Sequence, residues 1–279
     1  MKLVLAGVPL GNPGDASARL ISAIKSASII AAEDSRRFQR LCQDLNVATD
    51  AKVLSFFEGN EDERTEQLLK ELQNGAEVLV VTDAGMPTVS DPGFKLVRAA
   101  VEAKINIEVI PGPSAVTTAL ALSGLPTDRF CFEGFAPRTQ GAREKFFENL
   151  KYEARTIVFF EAPHRLLETL ESAINILGAD RKAALCREMT KTYEETVRGT
   201  LGEIQSWANS KEILGEITMV IDGASEGAKE ISQQAIIDAV RKLEEVGMER
   251  KEAIAAVSKE LDLPKREVFD AMVAAKNLQ

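Results

Sequence analysis

Val78-Leu79-Val80-Val81-Thr82-Asp83-Ala84-Gly85-Met86-Pro87-Thr88-Val89-Ser90-Asp91-Pro92-Gly93 is the stretch that decides the fold. Its first five residues are a β-branched apolar run, which reads as a strand, and the run stops abruptly at Asp83. From Asp83 to Gly93 the chain reads as a loop with two Asp-containing turns back to back, more than a plain connection requires. Gly85 lets the backbone approach a ligand, and Pro87 and Pro92 stiffen the path. A helix-period segment, Phe94 to Ala103, comes next. Strand, elaborate loop and helix in that order are the parts of an open α/β sheet, which binds ligands beyond the carboxyl ends of its strands.

The pattern repeats in both directions. Upstream, Leu3–Ala6, Ser28–Ala32 and Val53–Phe57 read as strands, with helices at Ala18–Ala27, Ser35–Leu45 and Thr65–Leu72 between them. Downstream, the strand Ile105–Ile110 leads to a helix over Ser114–Leu122. Strands separated by helices argue for βαβ units and a largely parallel sheet. A second cycle has strands at Phe130–Phe135, Thr156–Phe160, Ala183–Arg187 and Ile217–Ile221, with helices at Ala142–Leu150 and His164–Leu177. Ser123-Gly124-Leu125-Pro126 punctuates the join. The polar run Asp222–Glu230 reads as a linker. Beyond it, amphipathic helices at Ala235–Val246, Lys251–Leu261 and Lys265–Ala275, with a Leu261-Asp262-Leu263-Pro264 turn, have helix-turn-helix spacing. Such a unit either contacts nucleic acid or only packs. The expected organisation is an α/β domain over residues 1–122, a second over 123–223 and a helical tail over 224–279.

Two further loops stand where the Asp83 loop stands. Gly7-Val8-Pro9-Leu10-Gly11-Asn12-Pro13-Gly14-Asp15 follows the first strand, and Pro111-Gly112-Pro113-Ser114-Ala115 precedes a helix whose free amides suit a polar ligand group. Neither carries the dinucleotide fingerprint or a P-loop. Each alone also fits a tight turn, but three together point to a built site. In the second half, Glu161-Ala162-Pro163-His164-Arg165 and Arg187-Glu188-Met189-Thr190-Lys191 place ionisable groups after strands. They are candidates for substrate work or for capping and ion pairing.

A net charge of −9 is unusual for a polyanion-binding protein, yet the distribution is uneven. Acidic side chains crowd Glu58–Glu71, and basic ones accumulate between Arg129 and Lys191. Cys42, Cys131 and Cys186 form no C-x-x-C pair, and with the single His164 they give no zinc pattern. No apolar run approaches a membrane span, and the first strand begins at once, so a cytoplasmic protein without metal or membrane partner is expected.

The loops above, with Glu33-Asp34-Ser35-Arg36, Gly134-Phe135 and Gly215-Glu216 in the same order, resemble the class III methyltransferases, the tetrapyrrole methylase family. Within it they resemble the branch that modifies ribosomal RNA. The likeness covers roughly residues 1–223, and the tail is similar to that branch's helical appendage. It implies two α/β domains, commonly in a homodimer, with S-adenosyl-L-methionine in the cleft. It also implies 2′-O-methylation of a cytidine in the decoding region of 16S ribosomal RNA, in the small subunit. Porphyrin-modifying relatives typically carry Gly-Asp-Pro where this chain has Asp83-Ala84-Gly85.

Donor contacts carry over to Leu10, Asp83, Gly85, Met86, Ser114, Ala115 and Gly215. Asp34, Arg36, His164 and Arg165 are expected to orient RNA and a flipped nucleotide. Glu188 and Lys191, at one strand end, are the candidates for drawing the proton from the ribose hydroxyl. The resemblance also implies a His-rich stretch where this chain has Phe57-Glu58-Gly59-Asn60. A small-molecule methyltransferase and a non-enzymatic ribosome-assembly factor are the alternative functions.

Overall fold

The computed structural model describes residues 2–225, 233–261 and 263–276. They form two compact units, 1–223 and 224–279.

The first unit is built on two five-stranded sheets. In the first, β1 (Lys2–Ala6), β2 (Ile29–Ala32), β3 (Lys52–Ser55), β4 (Glu77–Val81) and β5 (Ile107–Ile110) lie in the order β3-β2-β4-β1-β5. All of its pairings are parallel. The period of two along each strand sorts the core into faces. Val4, Ala6, Ile30, Ala32, Leu79 and Val81 meet Leu20 and Ile24 of α1 (Ala18–Ser26) and Phe38 of α2 (Ser35–Asp44). Leu3, Leu5, Ile29, Ala31, Val78 and Val80 meet Leu68 and Leu72 of α3 (Glu61–Gln73) and Leu96 and Ala100 of α4 (Phe94–Glu102). Helix α3 begins four residues earlier than its apolar stripe suggests. Glu61, Asp62 and Glu63 occupy its first turn, where the helix dipole favours negative charge.

The second sheet holds β6 (Phe130–Phe135), β7 (Thr156–Glu161), β8 (Lys182–Arg187), β9 (Glu195–Thr200) and β10 (Ile217–Ile221), in the order β6-β7-β10-β8-β9. Only β6 and β7 pair in parallel; the other three pairings are antiparallel. The expectation of a largely parallel sheet thus holds for the first half alone. The difference arises at β9, which sequence periodicity misses. Glu-Thr-Val-Arg-Gly-Thr is a half-buried edge strand with no apolar alternation, and it folds back on β8. The helix after it, α8 (Leu201–Asn209), is also missed, although Thr200 and Glu203 form a reciprocal capping box that marks its start.

One face of this sheet is covered by α6 (Gln140–Leu150), α7 (Leu166–Leu177) and α8, around Ile157, Phe159, Leu185 and Met219. On the other face, Val158, Ala184, Cys186 and Val220 meet Val116, Ala119 and Leu120 of α5 (Ala115–Ser123). Helix α5 therefore precedes the proposed 122/123 boundary in chain order while its apolar side packs on the second sheet. Cys42, Cys131 and Cys186 are free thiols. No helix among the described residues is long and apolar enough to cross a membrane.

The second unit consists of α9 (Gln233–Glu245), α10 (Arg250–Glu260) and α11 (Lys265–Lys276) around its own core of Ile236, Val240, Ile254, Val257, Val268 and Met272. The expected linker lies partly, and Asp262 of the expected turn wholly, outside the described residues.

Strands β4, β1 and β5 are adjacent, so the three loops expected to bind ligand leave the sheet side by side. They are pinned at the backbone. Val8 N–H donates to Gly85 O at 2.8 Å, and Gly85 N–H returns to Val8 O at 3.2 Å. Gly7 abuts Gly112 so closely that a Cβ on Gly112 would lie 2.8 Å from Gly7 Cα. Gly112→Ala is expected to lower stability by about 1–3 kcal/mol, because backbone and not a flexible side chain must yield. Gly141→Ala, in α6 with nothing within 4 Å of the added methyl, should be neutral or stabilising. Chemical denaturation of both variants checks the contrast.

Candidate active site

Beyond these loops lies a cavity of about 370 Å³, within the range of small-molecule sites. Leu10, Asp83, Gly85, Met86, Ser114, Ala115 and Gly215 all line it, so the structure brings the whole expected donor set together. Four strand ends supply it: the loops after β1, β4 and β5, and the turn before β10. Gly85 takes a left-handed φ of 78°, which turns the chain beneath Leu10.

A second, wider cavity of about 1040 Å³ shares Glu33, Ser90, Asp91, Phe135 and Ala162 with the first. His164 and Arg165 line it together with Arg138. Arg165 is fixed by Glu161, at 2.6 Å, and donates to Ala136 O at 3.2 Å; His164 is exposed. Asp34 and Arg36 line neither cavity. They pair with each other at 3.1 Å, Arg36 lies in solvent, and Asp34 acts as the N-cap of α2. The guanidinium of Arg36 beside Asp34 holds that carboxyl at about 2.

Glu188 and Lys191 also stand outside both cavities. The Lys191 ammonium lies between Glu188 Oε1, at 2.8 Å, and Glu216 Oε2, at 3.0 Å, and only Glu216 faces the cavity. Burial alone would lower the Lys191 pKa, but its two carboxylate partners outweigh burial and raise it. Burial would likewise raise Glu188, yet Lys191 and the Glu216 N–H hold it low. Both groups therefore stay ionised. Glu188 and Thr190 have left-handed φ of 51° and 66°, a strained pair that turns Met189 into the cavity wall.

The cavity wall is acidic. Glu33, Asp83, Asp91, Glu161 and Glu216 line it, against the guanidinium of Arg37 as the one basic side chain among the described lining residues. Asp83 pairs with Arg37, Glu161 with Arg165 and Glu216 with Lys191. Glu33 accepts only the Asp83 N–H, and Asp91 has no hydrogen-bond or ion-pair partner among the described residues. Burial, reinforced by the neighbouring carboxylates Glu33, Asp83 and Glu216, pushes Asp91 up to about 7. Burial also raises Glu33 and Asp83. No group of His, Cys, Asp or Glu among the described residues could hold a metal ion.

The sequence-derived site omits Glu33, Arg37, Asp91, Phe135 and Glu216. Asp91 lies inside the very loop that decides the fold, but its isolation among carboxylates depends on packing between distant segments. Phe135 follows an irregularity in the β6–β7 pairing, at Gly134 with φ 68°, which presents its ring outward. A glycine inside a strand was the signal available for it.

Two sheets, one parallel and one mostly antiparallel, each covered by helices on both faces, with a cavity at the strand-end loops, define an α/β ligand-binding class. The family model described as Tetrapyrrole (Corrin/Porphyrin) Methylases matches residues 2–205. A protein named Ribosomal RNA small subunit methyltransferase I from Mycobacterium bovis is 45% identical over 99% of this chain and 95% of its own length. A protein of the same name from Thermotoga maritima is 42% identical over 222 residues, 80% of this chain and 98% of its own length. The solved structure of uroporphyrin-III C-methyl transferase from Thermus thermophilus, complexed with S-adenyl homocysteine, superposes with a TM-score of 0.53 at 16% identity. It covers 79% of this chain and 96% of that one. The chain belongs to the tetrapyrrole methylase family, in the group of the ribosomal RNA small subunit methyltransferase I proteins.

Lys191→Ala is expected to leave donor affinity within about threefold, because it removes no cavity-lining group. It should lower the single-turnover rate at pH 7 about tenfold or more, because Glu188 and Glu216 then lose the ammonium that fixes their positions. Calorimetry and rapid-quench methylation measure the two.

Proposed function

We propose that this protein transfers a methyl group from S-adenosyl-L-methionine to a ribose 2′-oxygen of a cytidine in 16S ribosomal RNA. The observation that carries the reading is a carboxylate-walled cavity that opens onto a second cavity edged by Arg138, His164 and Arg165. A sulfonium donor has fixed positive charge, which uncompensated carboxylates attract at short range; the thioether left after transfer lacks that charge. Leu10 and Met86 give the donor apolar contacts. Asp83 and the free amides at the start of α5 give it polar ones. Bound there, the donor supplies an electrophilic methyl group.

The second cavity suits a nucleotide. Its cationic edge offers phosphate contacts, and the exposed ring of Phe135 gives an unstacked base a surface to lie on. The high identity to relatives named for ribosomal RNA methylation supports RNA as the acceptor. In this reading Glu188 and Lys191 act on the reaction at one remove, by fixing Glu216 and the Gly215 turn. A Cβ on Gly215 would meet Glu188 Cγ at 2.4 Å, so the turn and that side chain are packed together. Asp34 and Arg36 are proposed to meet RNA outside the cleft. The reading includes a homodimer, the assembled small subunit as substrate, and a cytoplasmic site of action.

The test is calorimetry followed by methylation of purified small subunits with radiolabelled donor. S-adenosylmethionine should bind and NADH should not, and label should appear at one ribose. Donor affinity should rise with pH up to about 7 as Asp91 ionises. Tight NADH binding without donor heat overturns the reading.

The second unit has its own apolar core, and the Thermotoga maritima relative is matched along nearly its whole length by 222 residues. Truncation after Gly223 is therefore expected to leave the first unit folded and donor binding intact, while weakening RNA affinity. Equal RNA affinity and rate in the truncated chain leave the tail as packing only.

A further inference from the structure

We propose that Asp91 is the proton acceptor for the ribose hydroxyl, which makes it a catalytic residue of the methyl transfer. The proposal rests on the proposed function and adds the group that performs its proton step.

Three observations meet at this side chain. Asp91 lines both cavities, so it stands where a donor in one faces an acceptor in the other. Its carboxylate has no partner among the described residues, unlike Asp83, Glu161 and Glu216, each tied to a cation. Glu33, the other acidic residue on the shared wall, has one oxygen engaged by the Asp83 N–H.

The loop is also built to hold Asp91 in place at a cost. Thr88 and Ser90 both take left-handed φ, 74° and 62°, which is unfavourable for a β-branched residue above all. Pro92 restricts the backbone of Asp91 itself. The buried carboxylate of Glu61 anchors the loop end by accepting the Gly93 N–H at 2.9 Å. Burial and three like charges then bring Asp91 to a basicity suited to neutral pH, where a carboxylate both takes a proton and is ionised beforehand.

The step balances within the two substrates and this residue. A bond forms between the ribose oxygen and the methyl carbon as the carbon–sulfur bond breaks, and that electron pair stays on sulfur. The hydroxyl proton passes to an Asp91 oxygen and later to water. No metal or further reactant is required.

Asp91→Asn keeps the shape and removes the base. It is expected to reduce the single-turnover rate on small subunits 100-fold or more, with donor affinity changed by less than about tenfold. The wild-type rate should rise with pH and level off at or below about 7; the variant should be slow and lack that inflection. Facing groups that also titrate or carry charge are Glu33, Asp83, Glu161, Glu216 and Arg37 on the donor side, and Glu58, Glu61, Arg138, His164 and Arg165 on the other. The inflection is assigned to Asp91, so His164→Gln must preserve it.

A readout without turnover is available. The Asp91 pKa is raised in the folded protein, so wild-type stability falls as pH rises from the ordinary carboxylate range to about 7 and is level above. The thermal midpoint of Asp91→Asn, relative to wild type, should rise across that window and stay raised. Asp91→Glu, which restores a carboxylate, should recover part of the rate. Wild-type turnover at one ribose combined with an unimpaired Asp91→Asn rate, or with an inflection that vanishes in His164→Gln, overturns this assignment alone. A wild-type chain that binds no donor or methylates no subunit overturns the functional reading, and this inference with it.

Discussion

The structure depends on the contact of bare backbones where β1, β4 and β5 end. Gly7 lies against Gly112 with no room for a Cβ on either, and the Val8–Gly85 bridge locks the adjoining loop. Side chains at Gly7 or Gly112 would force the loops apart. Because they meet, one cavity receives the carboxylate of Asp83, the apolar tips of Leu10 and Met86 and the helix start at Ser114. The second sheet closes on the same place. Asn12 N–H donates to Thr190 Oγ1 at 3.2 Å, and a Cβ on Gly11 would lie 2.2 Å from Lys191 Cγ. The glycine-rich first loop is thus less a wrapping for ligand than a joint between the two sheets.

That joint explains an otherwise costly concentration of negative charge. Like charges in a shared half-buried wall oppose ionisation and destabilise the fold, unless cations compensate them. Here Arg37, Lys191 and Arg165 each take one carboxylate, from outside the cavity or at its edge. The pairing leaves Glu33 and Asp91 uncompensated. A protein selected for stability alone would pair or replace them. In the proposed function a cationic donor provides the missing charge only when bound, and releases it when the methyl group leaves. The same arrangement reconciles an acidic chain with an RNA substrate. The first cavity has one basic side chain among its described lining residues, whereas the second sets Arg138 and Arg165, with His164, against Glu33, Glu58, Glu61 and Asp91.

The legible parts of the sequence were those governed by local rules. Val78–Thr82 with its abrupt loop gave strand, turn and helix order, since β-branched runs and Gly/Pro punctuation act within a few residues. Six of the seven expected donor contacts fall in one cavity because adjacent parallel strands end on the same side of a sheet, and the seventh, Gly215, joins them from the turn before β10. What stayed hidden was long-range. Strand β9 has no alternation of its own and is defined by its partner β8. The isolation of Asp91 arises from residues 33, 83 and 216, which no spacing rule connects. Glu188 and Lys191 are ionisable residues at a strand end, as a base would be. Their side chains nevertheless turn to each other and to Glu216, a choice of partner that the sequence does not encode locally.

Four of the six described non-glycine residues with left-handed φ lie beside the cavities, and the other two, Asn46 and Lys104, stand just past the ends of α2 and α4. Among the described non-glycine residues with left-handed φ, Thr88 and Ser90 flank the shared wall, and Glu188 and Thr190 flank Met189 in the donor cavity. Each pair costs conformational energy, which the surrounding anchors must offset. Glu61 holds the first loop by capping α4, and the Lys191 ion pairs hold the second. Neither Glu61 nor Lys191 lines the first cavity, so they stiffen its loops without occupying its space. In the proposed reaction Glu188 and Lys191 fix geometry, and the proton is exchanged by Asp91, the carboxylate on the shared wall that has no partner among the described residues.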